Sequence, residues 1–553
     1  MAGTKDQGPR TKDQFALVGV LLLADVAPFE TSTPLVRVPG QSISDLEAVM
    51  LIAFGIWGAG ILVARAWPEW RTPLTAPWLA LLAVAALASV VSQISRANAL
   101  HMTGRLAAAF GVYLLTVNAI TSRGRARTLL AVMLTTGLVV SVLAILEYRQ
   151  VPAVLQLLRA FRPGLSTVGA QLRAGGPLQY PTIASMYLEV VFAFGVGVLL
   201  TELDGNHRVL GIAAFVALLV VAEAITLTYT RAGLIAMGAT LAIVAAVRYR
   251  HRGVDAGVGA VAALAFGVVA LFAVSRSAES IRLRLTSEGQ ESWYRAEIEA
   301  PLTVALPTGR DEIIPVTVRN TGRLVWDSRD TPPFYFSYHW VAADRDRIVS
   351  FDGVRTPFEA PVNPGEDAVV LARVRSPRQP GDYRLSWDVV QEGRLWFSTE
   401  PGARQATSQA HVVGGAITTA AQTFPPPKPT VRPGRLQLWR AALAMFARHP
   451  WLGVGPDNFR LSYGPYAGIA APDPRTHSNN MYLEVLAGTG LAGAVAFVWL
   501  AWSAGRSVSA DVGVLCALAA IALHGVVDSF LSFAPTYVLF AITLGLTRHE
   551  NRV

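Results

Sequence analysis

Apolar segments about as long as a bilayer is thick recur along this chain, and they limit its possible folds more than any motif does. A hydrocarbon core about 30 Å thick takes about 20 mostly apolar residues as helix. Twelve segments meet or approach that length, near 14–29, 46–66, 76–94, 104–121, 127–147, 182–201, 208–228, 231–248, 256–275, 479–502, 511–528 and 531–547. Over 553 residues the chain is 52% hydrophobic and 15% charged, which excludes an ordinary water-soluble protein. The expected fold class is membrane all-α, a polytopic bundle of about 12 transmembrane helices with an inserted β-sandwich. No small-residue cleavage site follows the first apolar run, so it reads as a retained span. The one cysteine, Cys516, lies inside an apolar run and excludes an internal disulfide or a cysteine-built metal site.

The formal charge of +9 is arginine-rich, and on such a chain its first meaning is topological, not nucleic-acid binding. With the N-terminus inside, the inner loops carry Arg65 and Arg71; Arg123, Arg125 and Arg127; Arg208; Arg248, Arg250 and Arg252; Arg506; then Arg548 and Arg552. Every inner loop is then basic, and both termini are cytoplasmic. The 148–181 loop, the turn at Thr230 and Arg231, the region 276–478 and the turn around Asp528 fall outside. The outer 148–181 loop breaks the pattern with Arg149, Arg159, Arg162 and Arg173. Taken as a set, these are expected to bind an anion.

Between the ninth and tenth spans the periodicity changes. Short alternating runs such as EIIPVTVRN, PFYFSYHWV and GDYRLSWDVV are separated by NTG, NPGED and QPGDY, as in an antiparallel β-sandwich. Trp326, Trp340, Trp387 and Trp396 are expected to be mostly core anchors. The proline-rich tract at 424–434 reads as a stiff spacer. After it, RLQLWRAALAMFARHP places Leu436, Trp439, Leu443 and Phe446 on one face of a helix too short to span, and an interfacial helix is expected. The division is 1–285 for nine spans, 286–423 for the insert, 424–478 for linker, interfacial helix and loop, and 479–553 for three spans.

An outward-facing site at the membrane surface has no soluble nucleotide donor, so its substrate must be lipid-borne and already activated. A sugar on a polyprenyl pyrophosphate meets that need. Expelling the pyrophosphate requires stabilising negative charge, which a guanidinium fork does well. The sequence offers no convincing carboxylate or histidine cluster for a metal; Asp344-Arg-Asp346 is the one D-x-D and lies in the sandwich. Arginine is therefore preferred, with no cofactor and no metal. A histidine suits the base that takes the acceptor's proton. His477, just before the tenth span, is the candidate catalytic group. Arg173, Arg231, Arg475, Asn480 and Arg440 are candidate substrate-binding residues.

The residues also resemble a known family. HPWLGVGPDNF followed by THSNNMYLEVLAGTGLAG, together with RAGGPLQYPTIASMYLE, TYTRAGLIA and LHGVVDSFL, is similar to the O-antigen ligase and O-antigen polymerase superfamily. The resemblance covers roughly 14–285 and 435–547. It implies an inner-membrane glycosyltransferase of bacteria that moves a glycan from undecaprenyl pyrophosphate to a glycan or lipid acceptor, of the lipid A-core type, on the periplasmic face. It implies His477 as base, with Arg173 and Arg231 gripping the pyrophosphate. The insert's tryptophan and turn pattern resembles immunoglobulin-like accessory domains of glycan-assembly proteins. Two departures stand out. The family pattern sets histidine next to asparagine where this chain has His-Ser-Asn-Asn, and Thr182 follows Pro181 where the family has asparagine. On a helix the first shift would rotate the side chain by about 200°; on a loop it is harmless. SMYLEV at 185–190 and NMYLEV at 480–485 echo one another, with Glu189 and Glu484 expected as first-turn residues favourable to a helix N-terminus.

A polymerase or a protein O-oligosaccharyltransferase would use the same donor and leaving group. A non-catalytic polysaccharide export component belongs to another class, but transport calls for mid-membrane charges, and Glu223 is the one clear case.

Overall fold

The computed structural model describes residues 8–38, 41–162, 166–168, 171–275, 293–329, 333–343, 348–392, 395–399, 406–414, 433–469, 472–508 and 511–547. Asp344, Asp346 and nearly all of the 424–434 spacer lie outside the described residues. The helices are α1 Gly8–Val26, α2 Asp45–Ala64, α3 Thr75–Val91, α4 Arg96–Ala119, α5 Arg123–Tyr148, α6 Pro152–Leu158, α7 Pro181–Asp204, α8 Arg208–Leu227, α9 Arg231–Arg252 and α10 Ala256–Ser275. After the insert come α11 Arg435–Arg448, α12 Phe459–Ala467, α13 Met481–Ser507, α14 Val512–His524 and α15 Ala534–Leu546.

Each of the twelve apolar segments falls on a helix, but not each helix is a span by length. Among the described residues, eight are long and apolar enough to cross a membrane: α2, α4, α5, α7, α8, α9, α10 and α13. The chain is therefore an integral membrane protein. Of the others, α3 has 17 residues and α14 and α15 have 13 each. The last two are short because the chain between them, 525–533, is a hydrogen-bonded corner and not helix. The 19 residues of α1 include Arg10, Lys12 and Asp13 in its first turns.

The centre of the bundle is α7. Of its apolar window 89% is buried inside the protein, against 22% for α2, so α7 is ringed by protein while α2 faces outward. This fits the sequence: apart from Glu189, PTIASMYLEVVFAFGVGVLL carries no charge on any side, as suits a fully surrounded helix.

The insert is a separate β domain of two sheets. Its strands are β5 Ala296–Glu299, β6 Thr303–Pro307, β7 Asp311–Asn320, β8 Phe334–Ala342, β9 Ile348–Ser350, β10 Thr356–Pro357, β11 Asp367–Arg375, β12 Gly381–Gln391, β13 Leu395–Trp396 and β14 Thr407–Val413; earlier loops hold two hairpins, β1 Val36–Val38 with β2 Gln41–Ile43 and β3 Ser166–Val168 with β4 Gln171–Arg173. One sheet runs β10-β8-β12-β14-β6, with β9 beside β8 and β13 beside β12; the other runs β11-β7-β5. Pairing is antiparallel except between β14 and β6. Alternate residues face a shared core, with Val316 and Val318 of β7 and Val370 and Val374 of β11 opposite Phe336, Trp387 and Val389. Trp326, Trp340 and Trp387 are in this core; Trp396 is half-buried, with Arg355 over its ring at 4.6 Å.

The glycine motifs around the last loop are explained by contact of backbone with backbone. Val454 N donates to Ala487 O at 2.9 Å, Gly455 N to Gly488 O at 2.9 Å, and Leu491 N to Pro450 O at 2.7 Å. Gly490 sits inside α13 with φ 63°, a left-handed break, and a Cβ there would lie 2.4 Å from the carbonyl carbon of Trp451. Gly453 has φ 65°, and its Cβ would lie 2.4 Å from Ala487 O. Only glycine allows this approach, and the GVG loop thereby satisfies the carbonyls that the break frees.

On α11 the buried residues are Leu438, Ala441, Ala442 and Met445. The apolar face read from sequence is the other one, with Leu436 and Leu443 64% and 50% exposed.

Candidate functional site

Chain entry into α13 fixes His477. Asn480 caps the helix, its Oδ1 accepting from Leu483 N at 2.9 Å, while its Nδ2 donates to Val526 O at 2.8 Å. Both ends of the Asn480 amide, expected as a substrate contact, thus make hydrogen bonds within the protein. Asn479 takes a left-handed turn at φ 51°, a conformation asparagine tolerates. His477 therefore lies on a loop, and the displaced histidine of the His-Ser-Asn-Asn pattern is not rotated by a helix.

Two carboxylates face the imidazole. His477 Nδ1 is 3.6 Å from Asp457 Oδ1 and 3.7 Å from Glu484 Oε1, closer to charge contact than to hydrogen bonding. Glu484 is held in turn: its Oε2 accepts from Ser478 N at 2.9 Å and from Ser478 Oγ at 2.6 Å. Asp457 is left-handed at φ 61° in the GPDN turn, and its Oδ2 accepts from Arg460 Nε at 2.8 Å and from Asn98 Nδ2 at 3.1 Å. The next residue, Asn458, is fully buried and pins the turn through Ser92 Oγ, Ser95 O and Val454 O. The start of α4 is thus part of the site.

Nδ1 is enclosed without a hydrogen-bond partner, and 21% of the His477 side chain stays exposed. Burial pulls the imidazole pKa down, but Glu484 first and Asp457 second outweigh it, so His477 titrates above its ordinary value. The ligand atoms of Asp457, His477 and Glu484 all lie within 4.8 Å of one another, close enough to hold a metal ion. The expectation that no carboxylate and histidine cluster exists is thereby corrected. The three lie at positions 20 and 7 residues apart in sequence, beyond any metal-ligand spacing signal.

Beside the imidazole, at 6.4 Å between ring centroids, is Phe533, which also approaches Tyr180 at 6.5 Å. Phe533 lines a cavity of about 190 Å³ with Glu30, Arg105, Gln179 and Ser532. Arg105 Nε lies 3.5 Å from Glu47. The segment after β4 leads toward this cavity: Arg173 Nε donates to Thr228 O at 2.9 Å and its Nη2 to Thr230 Oγ1 at 3.2 Å, and six residues later Gln179 lines the cavity wall. Arg173 is thus brought to the start of α9, where Arg231 is the first residue.

The other candidates are placed apart from this geometry or at its edge. Arg475 is 80% exposed and forks onto Asp473 at 3.1 Å through both Nε and Nη2. Arg440 is exposed on α11. Of the four arginines in the 148–181 loop, Arg162 is not available to a ligand: it is buried on Glu147, whose other oxygen accepts from Gly175 N and Gly176 N at 3.0 and 2.8 Å. Arg149 and Arg159 are exposed.

The MYLEV echo has a physical counterpart. Glu484 faces His477, and Glu189 meets His524 Nδ1 at 2.8 Å, both of that pair fully buried. Glu189 is nine residues into α7, beyond the first turn in which it was expected. The sequence reading missed Asp457, Glu484, Arg460, Asn98 and Arg105. The signals open to it were the repeated glutamate and the Asp-Asn turn before a helix.

Residues 416–498 match the family model described as O-Antigen ligase, a stretch that contains Asp457, His477 and Glu484. A search of curated proteins finds no match. Among solved structures, the chain is similar to the ASH / PapD-like domain of human CEP192 (PapD-like domain 7) at 14% identity, over 22% of this chain and 88% of that one, with a TM-score of 0.14.

Proposed function

We propose, for a chain that carries an O-antigen ligase family domain at residues 416–498, that the His477 site transfers a glycan from undecaprenyl pyrophosphate to an acceptor hydroxyl. At the coarser level the protein is a glycan-processing transferase of the ligase and polymerase type. The ligase reading places the reaction on the periplasmic face of a bacterial inner membrane, with a lipid A-core type acceptor.

The observation that carries this reading is the imidazole whose Nδ1 faces two carboxylates while part of the ring stays exposed. In the proposed step the acceptor hydroxyl attacks the anomeric carbon and its proton passes to Nε2. The bond from that carbon to the pyrophosphate oxygen breaks, and the leaving group keeps the electron pair. Asp457 and Glu484 hold Nδ1 protonated and stabilise the imidazolium that forms. Arg173, Arg231 and Arg105 are the cations assigned to the departing pyrophosphate. The same three ligand atoms could hold a metal, but Arg460 at 2.8 Å already supplies positive charge to Asp457, which supports an imidazole site over a cation site.

Inactivating the protein in its own cells and identifying what accumulates tests the reading. Long polymer left on the carrier lipid supports the ligase. Single repeat units would make it a polymerase, and no change in carrier-linked glycan would overturn the transferase assignment.

A further inference from the structure

At the end of the bundle opposite His477, a cavity of about 550 Å³ opens between α5, α7 and α8, with the start of α14 at its edge. Its walls are apolar, with Leu130, Leu134 and Leu138 of α5 facing Phe194 and Val198 of α7 and Leu210 of α8. Arg123 and Arg127 complete the α5 stripe toward the helix start. Positions 123, 127, 130, 134 and 138 follow the three- and four-residue spacing of one helix face. From Arg127 to Leu138 the helix rises about 16 Å, at about 1.5 Å per residue. That matches the hydrocarbon depth of one leaflet, about 15 Å or half the core.

The rim carries two arginines and two carboxylates, and the arginines are the pair left without an ion-pair partner among the described residues. Arg123 and Arg127 are exposed and have no side-chain partner among the described residues, whereas Arg125 between them is committed to Ala119 O, Asp13 O and Thr121. The two acids of the lining are engaged elsewhere: Glu202 with His207 at 2.7 Å, and Asp511 with Gly513 N and Val514 N at the cap of α14. An apolar slot one leaflet deep, with two exposed and unpaired guanidinium groups at its mouth, fits a chain with an anionic head.

We propose that this cavity is a binding site for an anionic phospholipid, with an acyl chain along the α5 stripe and the headgroup phosphate between Arg123 and Arg127. The site is separate from the transfer reaction and does not rest on it.

The full-length protein, delipidated in detergent, is titrated with phosphatidylglycerol or phosphatidylcholine while thermal unfolding is followed and retained lipid is counted by native mass spectrometry. The wild type is expected to retain phosphatidylglycerol in preference and to gain several degrees in Tm from it. In R123Q/R127Q the preference should fall on the order of tenfold, and in L134W, which fills the slot without changing charge, lipid retention should be lost. R250Q removes an exposed arginine at the same end of the bundle but outside the cavity, and should behave as wild type. Equal phosphatidylglycerol preference in R123Q/R127Q and wild type would overturn the site. So would an R250Q loss as large as that of the double variant, or undiminished retention in L134W.

Discussion

At the residue scale the account turns on what surrounds His477. Its pKa lies above the ordinary value of about 6.5 because of Glu484 and Asp457. A base must be neutral to accept a proton, so transfer should rise with pH through the His477 pKa, giving an acidic limb above pH about 6.5. Glu484→Gln removes the larger of the two raising charges, and that limb should move to lower pH in a pH-rate profile; an unmoved limb would separate Glu484 from the titration. The same sign applies to stability. A histidine whose folded pKa is raised stabilises the fold fully below its unfolded pKa, and this contribution fades as pH rises through the folded pKa. Glu189 and His524 offer a contrast, since both are fully buried. Glu189→Ala leaves His524 without its partner between α7 and α14, and a loss of about 3–5 kcal/mol is expected in detergent unfolding. His477 itself was legible because it is the lone histidine of a polar loop beside a span. Its partners were not, because Asp457 reaches it through a turn pinned on α4, and Asn98 is more than 350 residues away in sequence.

At the scale of elements, the long apolar helices were legible from apolar length alone, while the short α6 and α12 and the break in α13 were not. Its sequence LAGTGLAG reads as ordinary small-residue helix; the left-handed Gly490 exists because the GVG loop docks backbone to backbone against it. Gly490→Ala adds a left-handed Cβ, at about 1–2 kcal/mol, and an overlap with Trp451 that neither backbone can relieve. The variant is expected to insert but to unfold at lower temperature and to lose transfer, because the loop it loosens carries Asp457. Arg162 likewise looked like part of an anion-binding loop. Glu147, at the end of α5, turns it into a buried brace, since a desolvated arginine is stable only when paired.

At the scale of the whole molecule, the β domain has its own core, distinct from that of the bundle. Removing residues 300–413 should therefore leave membrane insertion intact and weaken acceptor selection more than chemistry, measured by competing acceptors in one assay. Loss of insertion would show that the two parts fold together. Because Arg460 already neutralises Asp457, a chelator should leave the transfer rate unchanged; full loss restored by one divalent ion would move the Asp457, His477 and Glu484 group to a metal role.

The most direct test of the central claim uses the full-length protein in vesicles with a glycan on undecaprenyl pyrophosphate and a hydroxyl-bearing acceptor. Release of the carrier pyrophosphate is measured together with glycan transfer, for wild type and His477→Ala. The account predicts stoichiometric release and transfer, lowered at least about 100-fold in the variant, the lower bound for loss of a positioned base. A His477→Ala protein that transfers glycan at the wild-type rate would contradict it.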